Sequence, residues 1–214
     1  QDMVKISRLS NIFIEGIYTH LATADRLKEQ SYVNMQYDKF MKILNQLEEA
    51  GIHIPIRHMS NSAATINFPK MHLDMVRPGT SLYGLYPGAE MAAAPTVELF
   101  PAMSVKAKLV HIKPVPVGTK VSYSGTFEAK RPTVIGVVPL GYVDGIYRQL
   151  ANRGSVLLNG QRCPMVGNIC MDQFMADITD VTNPKLGDEV VIIGRQGKEQ
   201  ITADEVGALV NTIS

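Results

Sequence analysis

The period of the apolar pattern changes near residue 98, and this change constrains the fold more than any other feature of the chain. Before it, strand-like and helical runs alternate. Residues 31–50 form a helical run, because apolar side chains spaced by four, three, four and three share one face: Val33, Tyr37, Phe40, Leu44 and Leu47. Strand-like runs occupy residues 11–20, 52–59 and 75–83, the last interrupted by Pro78-Gly79. This order predicts parallel strands joined by helical crossovers.

After residue 98 the helical period almost disappears. Short apolar runs separated by Gly and Asn predict strands at 105–112, 120–123, 133–140, 155–158, 161–165, 175–178 and 189–193. The pair Asn159-Gly160 is a signal for a two-residue hairpin. A closing helix follows Thr202, which forms a capping-box pattern with Glu205. The sequence therefore predicts an α/β segment, residues 1–97, followed by a mostly-β C-terminal domain, residues 98–214.

Composition and charge exclude several classes of protein. The chain has 21 basic and 20 acidic residues, a net charge of +1, which gives no electrostatic reason to bind nucleic acid or an anionic membrane. No apolar run approaches the roughly 18 residues of a membrane span. Cys163 and Cys170 have neither a redox nor a zinc-ligand spacing, and we expect reduced thiols, no metal site and a cytoplasmic location. The start lacks a signal peptide and an initiating methionine, so we expect a chain that begins partway through a longer protein.

Three segments that follow strand-like runs carry polar side chains that a core would not select. They read YTHLATAD at 18–25, RHMSNSAA at 57–64 and VRPGTSLYG at 76–84. Ligands of α/β folds collect at the carboxyl ends of parallel strands, and small residues with free backbone N–H groups suit an oxyanion such as phosphate. Composition alone favours an ordinary strand-to-loop junction at each of them.

In this order, the three segments resemble the second half of the barrel in alanine racemases, whose patterns are Y/F-T-H-x-A-T-A-D, H-x-x-N-S-A-A and R-x-G-x-S-x-Y-G. The resemblance continues through VSY at 121–123, PLGYVDG at 139–145, VGNICMDQ at 166–173 and IGRQG at 193–197. It implies the second half of a (β/α)8 barrel over residues 1–97 and the β-rich racemase domain over 98–214. It also implies pyridoxal 5′-phosphate and a homodimer whose active site is shared across subunits.

The sequence departs from the family pattern at both ends. No lysine stands in a V-V-K-A-N-A-Y-G-H-like context, which in the family supplies the cofactor lysine, and the D-T-G-M-x-R-L-G segment is missing. The family's T-I-N-Y-E is replaced by Asn211-Thr212-Ile213-Ser214. Asn168 stands where many members have Arg at the substrate entrance. We therefore expect a C-terminal portion of a racemase, doubtful as an enzyme on its own.

Racemisation removes a proton from one face of Cα and returns one to the other, so two bases are needed. By resemblance, the lysine is one base and Tyr142, reaching the partner subunit's active site, is the other. A tyrosine with an ordinary pKa of about 10 needs assistance, for which the family's candidates are His20 and Arg77. The alternative for Tyr142 is a half-buried strand aromatic.

The resemblance also assigns cofactor contacts. Arg77 matches the residue that faces the pyridine nitrogen, and a guanidinium, with a pKa above about 12, would keep that nitrogen unprotonated. Ser62, Gly79 and Thr80 match the phosphate cup through one hydroxyl and two backbone N–H groups. The alternatives are a surface or capping arginine for Arg77 and a helix N-cap for Ser62.

Three further residues complete the expected site. Asn61 orients the turn before Ser62. His58 matches the histidine under the cofactor ring, with a satisfied core histidine as its alternative. Met171 matches the position whose backbone N–H binds the substrate carboxylate across the dimer, with a core methionine as its alternative.

The function implied is the interconversion of L- and D-alanine, which supplies D-alanine for cell-wall peptidoglycan. Two alternatives stay open: a racemase for serine or another amino acid, and a non-catalytic dimerisation or structural fragment. A related decarboxylase is a weaker idea, which the segments at 141–145 and 169–173 oppose.

Overall fold

A computed structural model describes residues 2–214 and separates them into two compact units, with the division between Ala102 and Met103. The first unit is α/β and the second is rich in β-strands, so the predicted order of fold classes is confirmed. Of the helices in residues 2–214, none combines the length and apolar character that crossing a bilayer requires. Cys163 and Cys170 are both unpaired.

The first unit contains one strand–helix–strand element with parallel pairing, as predicted. Strand β1 pairs with β2 in the register Gly16↔Ile56 to Tyr18↔His58. The elements of this unit are α1 (Asp2–Ile6), β1 (Gly16–Tyr18), α2 (Ser31–Glu49), β2 (Ile56–His58), α3 (Ser62–Asn67), the 3₁₀ turns Pro69–Met71 and Thr80–Tyr83, and α4 (Ala89–Ala93).

Helix α2 packs its apolar face against the core of the first unit. Four of the five predicted face residues are buried, namely Val33, Phe40, Leu44 and Leu47, and Tyr37 is half-buried against the same cluster. Gly51 adopts φ +74° just after the helix, as expected of a helix stop. The core that α2 covers includes Leu21, Met59, Ala64, Met71 and Met91.

The predicted third strand at 75–83 is wrong. Only Met75 makes a strand-like bridge, to His58, and the chain then turns into the 3₁₀ segment Thr80–Tyr83. Pro78 has no N–H to continue a ladder, and Gly79 adopts φ −109° and ψ −97°, outside the strand region. The strands predicted at 11–20 and 52–59 are also shorter than expected, since three residues of each are paired.

The second unit is an antiparallel sheet of eight strands with a separate two-stranded ribbon. The sheet order is β12-β11-β8-β9-β10-β7-β4, with β3 also paired to β11, and β5 pairs with β6. The elements are β3 (Val105–Lys108), β4 (His111–Val115), β5 (Lys120–Val121), β6 (Phe127–Glu128), β7 (Thr133–Val138), β8 (Ser155–Leu158), β9 (Gln161–Val166), β10 (Phe174–Asp177), β11 (Glu189–Gln196), β12 (Glu199–Ile201) and α5 (Ala203–Val210).

One predicted strand of this unit is in fact two. Residues 105–112 divide into β3 and β4, which pair with β11 and β7 respectively. Between them Leu109 donates to the Asp188 carbonyl and Val110 to the Val137 carbonyl, so the chain changes partners at this point. The predicted hairpin is confirmed: Asn159 and Gly160 adopt φ +49° and +74° between paired Leu158 and Gln161.

The N-terminus of helix α5 has one of the two hydrogen bonds that the capping-box pattern predicts. The Thr202 hydroxyl accepts the Glu205 N–H at 3.0 Å, as expected. The Glu205 carboxylate instead accepts two hydrogen bonds from Arg162 on β9, at 2.6 and 2.9 Å. The side chain therefore joins the helix to the sheet.

Candidate active site

The ends of β1 and β2 bring the three polar segments of the first unit together. Arg77 donates its backbone N–H to the Ser60 carbonyl at 2.9 Å, and its guanidinium Nη2 to the Thr19 carbonyl at 3.1 Å. Asn61 Nδ2 donates to the Leu21 carbonyl at 3.1 Å. Parallel pairing places all three segments at one sheet edge, as expected for a ligand site.

Arg77, His58 and Tyr18 form a layered group at this edge. The rings of Tyr18 and His58 stack with centroids 5.2 Å apart and an interplanar angle of 19°. The Arg77 Cζ lies 5.2 Å from the Tyr18 ring centroid, and its Nη1 lies 2.5 Å from His58 Nδ1. A guanidinium can only donate hydrogen bonds, so Nδ1 is the acceptor and His58 carries its proton on Nε2.

The surroundings of His58 favour its neutral form. Burial lowers the pKa of its imidazole, and the positive charge of Arg77 lowers it further. Arg77 is half-buried and its guanidinium contacts both His58 and the Thr19 carbonyl, so the surface alternative is wrong, whereas the bond to the Thr19 carbonyl agrees with the capping alternative.

Ser62 is buried, with 5% of its surface exposed, and its hydroxyl faces the turn after Arg77. Its Oγ accepts the Gly79 N–H at 2.7 Å, which leaves its own proton free to donate. The alternative of a helix N-cap is wrong for Ser62, because Asn61 is the cap: its Oδ1 accepts the Ala64 N–H at 3.1 Å. Asn61 thus orients the turn through both ends of its amide.

The neighbouring turn at Gly79 and Thr80 presents its backbone toward the Ser62 hydroxyl. The Gly79 N–H is engaged by Ser62 instead of being left free for an anion. Thr80 begins the 3₁₀ segment, and within residues 2–214 its N–H has no hydrogen-bond acceptor. A Cβ built on Gly79 would lie 3.7 Å from Ser62 Oγ. Because glycine lacks this atom, there is open space beside the hydroxyl.

His20 is anchored through its backbone only. Gln36 on α2 donates to the His20 carbonyl at 3.1 Å and accepts the Ala22 N–H at 3.0 Å. The imidazole is exposed and has no hydrogen-bond partner within the part of the chain that the structure describes. The expectation that His20 and Arg77 assist a phenolic base stays a prediction, and in the described residues the Arg77 guanidinium contacts His58 and the Thr19 carbonyl.

In the second unit, the segment of Tyr142 is hydrogen-bonded to the segment of Met171. The Tyr142 N–H donates to the Cys170 carbonyl and the Val143 N–H to the Met171 carbonyl, both at 3.0 Å. A Cβ on Gly141 would lie 2.3 Å from the Met171 carbonyl carbon and oxygen, so the close approach requires glycine. The two predicted residues are therefore held together through their backbones.

Tyr142 and Met171 are both more exposed than a half-buried strand aromatic and a core methionine, their respective alternatives, would be. Tyr142 lies on the 3₁₀ turn Tyr142–Asp144 with 42% of its surface exposed, and Met171 is 57% exposed. A strand aromatic and a core methionine are therefore both excluded. Within residues 2–214 the Met171 N–H has no acceptor, and the Arg148 Cζ lies 5.7 Å from the centroid of the Tyr142 ring.

A second phenol, to which the sequence alone assigns no role, occupies a strained turn. Tyr123 is 73% exposed and lies between Ser122, at φ +64° and ψ 179°, and Ser124, at φ +62°. The Ser122 conformation belongs almost only to glycine and costs roughly 1–3 kcal/mol, and such strain clusters at functional sites. The signal available in the sequence was the VSY segment at 121–123.

The segment that carries Met171 also holds the turn of Tyr123. The Ser122 hydroxyl donates to the Asn168 carbonyl at 2.6 Å, and Asn168 Nδ2 donates to the Tyr123 carbonyl at 2.8 Å. Residues 168–171 are thus hydrogen-bonded to both tyrosine-bearing turns. Cys170 in this segment is half-buried.

Comparison with known protein families matches both units. The family "Alanine racemase, N-terminal domain" matches residues 1–87, and "Alanine racemase, C-terminal domain" matches residues 102–214. Among curated relatives, the chain is 50% identical to alanine racemase of Methanococcus maripaludis and 45% identical to that of Halothermothrix orenii, each over 210 residues. These alignments cover 98% of the chain but 56% and 55% of the relatives, so the chain spans about half their length.

Solved structures give the same similarity. The alanine racemase of Bacillus anthracis with bound L-Ala-P is 42% identical with a TM-score of 0.88, over 93% of this chain and 50% of that one. The alanine racemase of Clostridium difficile 630 in complex with cycloserine is 38% identical with a TM-score of 0.92, over 99% of this chain and 55% of that one.

Proposed function

The chain belongs to the alanine racemase family, and from this premise we propose that it acts in the interconversion of L-alanine and D-alanine. The observation that carries the proposal is the meeting of three polar segments at one sheet edge, where Arg77 contacts His58 and Ser62 accepts the Gly79 N–H. We assign residues 1–97 to the C-terminal half of a cofactor-binding (β/α)8 barrel. Residues 98–214 are then the racemase C-terminal domain.

The donors at this edge fit pyridoxal 5′-phosphate. The buried Ser62 hydroxyl has a free proton, the Thr80 N–H lacks an acceptor, and Gly79 leaves open space beside them, which together suit a phosphate group. When bound, the cofactor acidifies the Cα–H bond of an amino acid by withdrawing electron density. Ser62, Gly79 and Thr80 would hold its phosphate, and Asn61 keeps their turn in place.

Arg77 and His58 suit the ring of the cofactor. With Nη1 on His58 and Nη2 on Thr19, the Arg77 guanidinium is held in one orientation and keeps further N–H groups for an acceptor. Facing a pyridine nitrogen, it would donate a hydrogen bond without giving up a proton. His58, neutral and stacked on Tyr18, supplies a flat surface next to this guanidinium. His20 keeps its proposed role of assisting the phenolic base through its exposed imidazole.

One of the two bases is a phenol of the second unit. The sequence assigned this role to Tyr142, and the structure adds Tyr123 as a second candidate. We favour Tyr123, because its phenol is the more exposed and its turn stores strain of the kind that functional sites retain. Tyr142, whose ring has Arg148 over it, is then not the base. The other base is the family's lysine, which residues 1–214 lack in its usual context.

The substrate carboxylate would be bound by the Met171 N–H, a donor without an acceptor on an exposed turn. The second unit exposes several large apolar and aromatic side chains, some of them on the turn bonded to Met171: Tyr123, Tyr142, Val143, Tyr147 and Met171. Exposed apolar patches of this kind mark interfaces, which supports a homodimer in which this surface completes the partner's site. We further propose a cytoplasmic enzyme that supplies D-alanine for peptidoglycan.

The test is a chiral assay of the complete encoded protein with pyridoxal 5′-phosphate, offered L-alanine, D-alanine and L-serine separately. Racemisation of both alanine enantiomers, with slower turnover of serine, is expected. Preference for serine would reassign the substrate, and no racemisation of any of the three would leave the fragment alternative. Tyr123→Phe should lower kcat far more than Tyr142→Phe, whereas Tyr32→Phe, an exposed phenol on α2, serves as the unaffected control.

A further inference from the structure

Residues outside the turn that carries Tyr123 hold it in its unusual backbone conformation. Ser122 and Ser124 both have positive φ, so the turn has no local preference for its shape. Apart from the Gly125 N–H, which donates to the Ser122 carbonyl at 3.1 Å, the hydrogen bonds of the turn come from residues far along the chain. Asn168 Nδ2 donates to the Tyr123 carbonyl at 2.8 Å, and the Ser122 hydroxyl donates to the Asn168 carbonyl at 2.6 Å.

A second asparagine supports the same turn at its other end. Asn152 Nδ2 donates to the Thr126 hydroxyl at 3.2 Å, and Asn152 Oδ1 accepts the Gly167 N–H at 2.7 Å. Gly167 adopts φ +76°, and a Cβ there would lie 2.7 Å from the Ser122 Cβ, so its glycine permits the close approach. The turn is therefore hydrogen-bonded to Asn168 at residues 122 and 123 and to Asn152 at residue 126, and Asn152 in turn accepts the Gly167 N–H.

We propose that Asn168 is a positioning residue for the Tyr123 phenol. This inference rests on the proposed function, in which that phenol moves a proton at the substrate Cα. Because the Asn168 amide is the only side-chain donor to the Tyr123 carbonyl within residues 2–214, its loss lets Ser122 relax toward a negative φ. The relaxation moves the Tyr123 Cα and swings the phenol away from its place.

The hydrogen bond from Asn168 to the Tyr123 carbonyl should contribute more to the placement of the phenol than to the stability of the fold. Asn168 is half-buried at the surface and belongs to none of the apolar core clusters of the described residues. Its removal should therefore leave the fold intact while changing the geometry of one loop. A shift of about 1 Å at a reacting group can lower a rate roughly 100-fold, so the catalytic effect exceeds the structural one.

The experiment compares Asn168→Asp with the wild-type complete protein. Aspartate keeps the shape but places an oxygen against the Tyr123 carbonyl, whereas Asn168→Gln retains an amide donor and should restore part of the activity. Asn183→Asp is the matched control, since it makes the same chemical change at an exposed asparagine that also has positive φ. We expect Asn168→Asp to lower kcat roughly 10- to 100-fold with KM within about twofold.

Two further readouts separate positioning from general damage. The primary isotope effect with Cα-deuterated alanine should rise for one enantiomer only, because one base acts on each face. In crystal structures, Ser122 of Asn168→Asp should leave its positive φ and Tyr123 should move. An unmoved Tyr123 overturns the proposal, as does a moved Tyr123 with unchanged kcat. If the wild type does not racemise alanine, the proposed function fails, and the crystal comparison still decides whether Asn168 holds the turn.

Discussion

The Arg77 guanidinium lies 2.5 Å from Nδ1 of His58 and thereby decides the protonation of that histidine. A protonated imidazole would direct an N–H at a permanent cation, so the contact exists only with neutral His58 and its proton on Nε2. The same ring stacks on Tyr18, whose face also lies near the guanidinium. A fixed charge, a neutral ring and a phenol are thus stacked at the end of β2.

The titration of His58 should reflect this arrangement. Burial, and then the charge of Arg77, hold the pKa of His58 below its ordinary value. In Arg77→Gln the second cause disappears and the first remains, so the pKa should rise toward about 6.5 without reaching it. Histidine C–H chemical shifts followed by NMR from pH 4 to 8 in the wild type and in Arg77→Gln measure the change. A His58 pKa that is identical in both proteins contradicts the contact.

The free energy of unfolding should depend on pH because the pKa of His58 is lower in the folded chain than in the unfolded chain. Below about pH 6.5 the unfolded chain takes up a proton at His58 that the folded chain resists, so the free energy of unfolding decreases as the pH falls. Replacing His58 with Gln removes this contribution and should flatten the acid side of the stability curve. Chemical denaturation at several pH values measures the slopes.

Ser62 and Ser60 are two buried serines with different tasks, and their alanine variants should separate them. Ser60 donates to the Met71 carbonyl at 2.6 Å within the core, whereas Ser62 faces the turn at Gly79. Ser62→Ala should weaken binding of pyridoxal 5′-phosphate roughly tenfold, which is about 1.4 kcal/mol. Ser60→Ala should instead cost about 1 kcal/mol of stability and leave Kd unchanged.

Spectroscopic titration of the cofactor-free protein gives both dissociation constants, and thermal unfolding gives both stabilities. Equal loss of affinity in the two variants would mean that neither hydroxyl is specific for the phosphate.

Local patterns predicted the parts of the fold that depend on neighbouring residues. The face of α2 follows from the spacing of Val33, Phe40 and Leu44, and the hairpin at Asn159 follows from a turn that needs two positive φ values. The polar segments at the ends of β1 and β2 could be located because parallel strands end at one edge.

The parts that depend on distant residues could not be predicted in this way. Glu205 was expected to cap its own helix, but Arg162, 43 residues away, takes its carboxylate. Ser122 has φ +64°, and its hydroxyl donates to the carbonyl of Asn168, 46 residues away, a contact that no local pattern signals. Residues 75–83 have the apolar content of a strand, but the paired segment stops at Met75, and Pro78 removes the N–H that further pairing would use. Only tertiary structure reveals these partners.

The approach of Gly141 to Met171 should make Gly141 sensitive to any side chain. An added Cβ would lie 2.3 Å from the Met171 carbonyl, and backbone atoms cannot move aside as a flexible side chain can. Gly141→Ala should therefore cost about 3 kcal/mol, and it should separate the turn of Tyr142 from Met171. Urea denaturation measures the first effect, and hydrogen exchange of the Tyr142 N–H measures the second.

Gly118→Ala is the control for this prediction. Gly118 has φ +84° with open space around it, so alanine there meets only backbone strain of about 1–2 kcal/mol. If both variants lose the same stability and Tyr142 keeps its protection, the contact with Met171 is not what requires glycine at position 141.

The ion pair of Arg57 and Asp74 in the first unit should make the free energy of unfolding depend on pH in the acid range. Arg57 contacts the carboxylate through Nε at 2.7 Å and Nη2 at 3.1 Å, and its backbone N–H donates to the same group. These bonds lower the pKa of Asp74 to about 2. Since the ordinary pKa is about 3.9, the stabilisation is complete above that pH and is lost as the pH falls toward 2.

Because both side chains are partly exposed, we expect Asp74→Asn to cost about 1 kcal/mol at pH 7 and almost nothing at pH 2. Unfolding free energies at the two pH values test this, with the exposed Asp180→Asn, which removes the Arg131 pair, as the weaker control. An equal cost of Asp74→Asn at both pH values would contradict an electrostatic role.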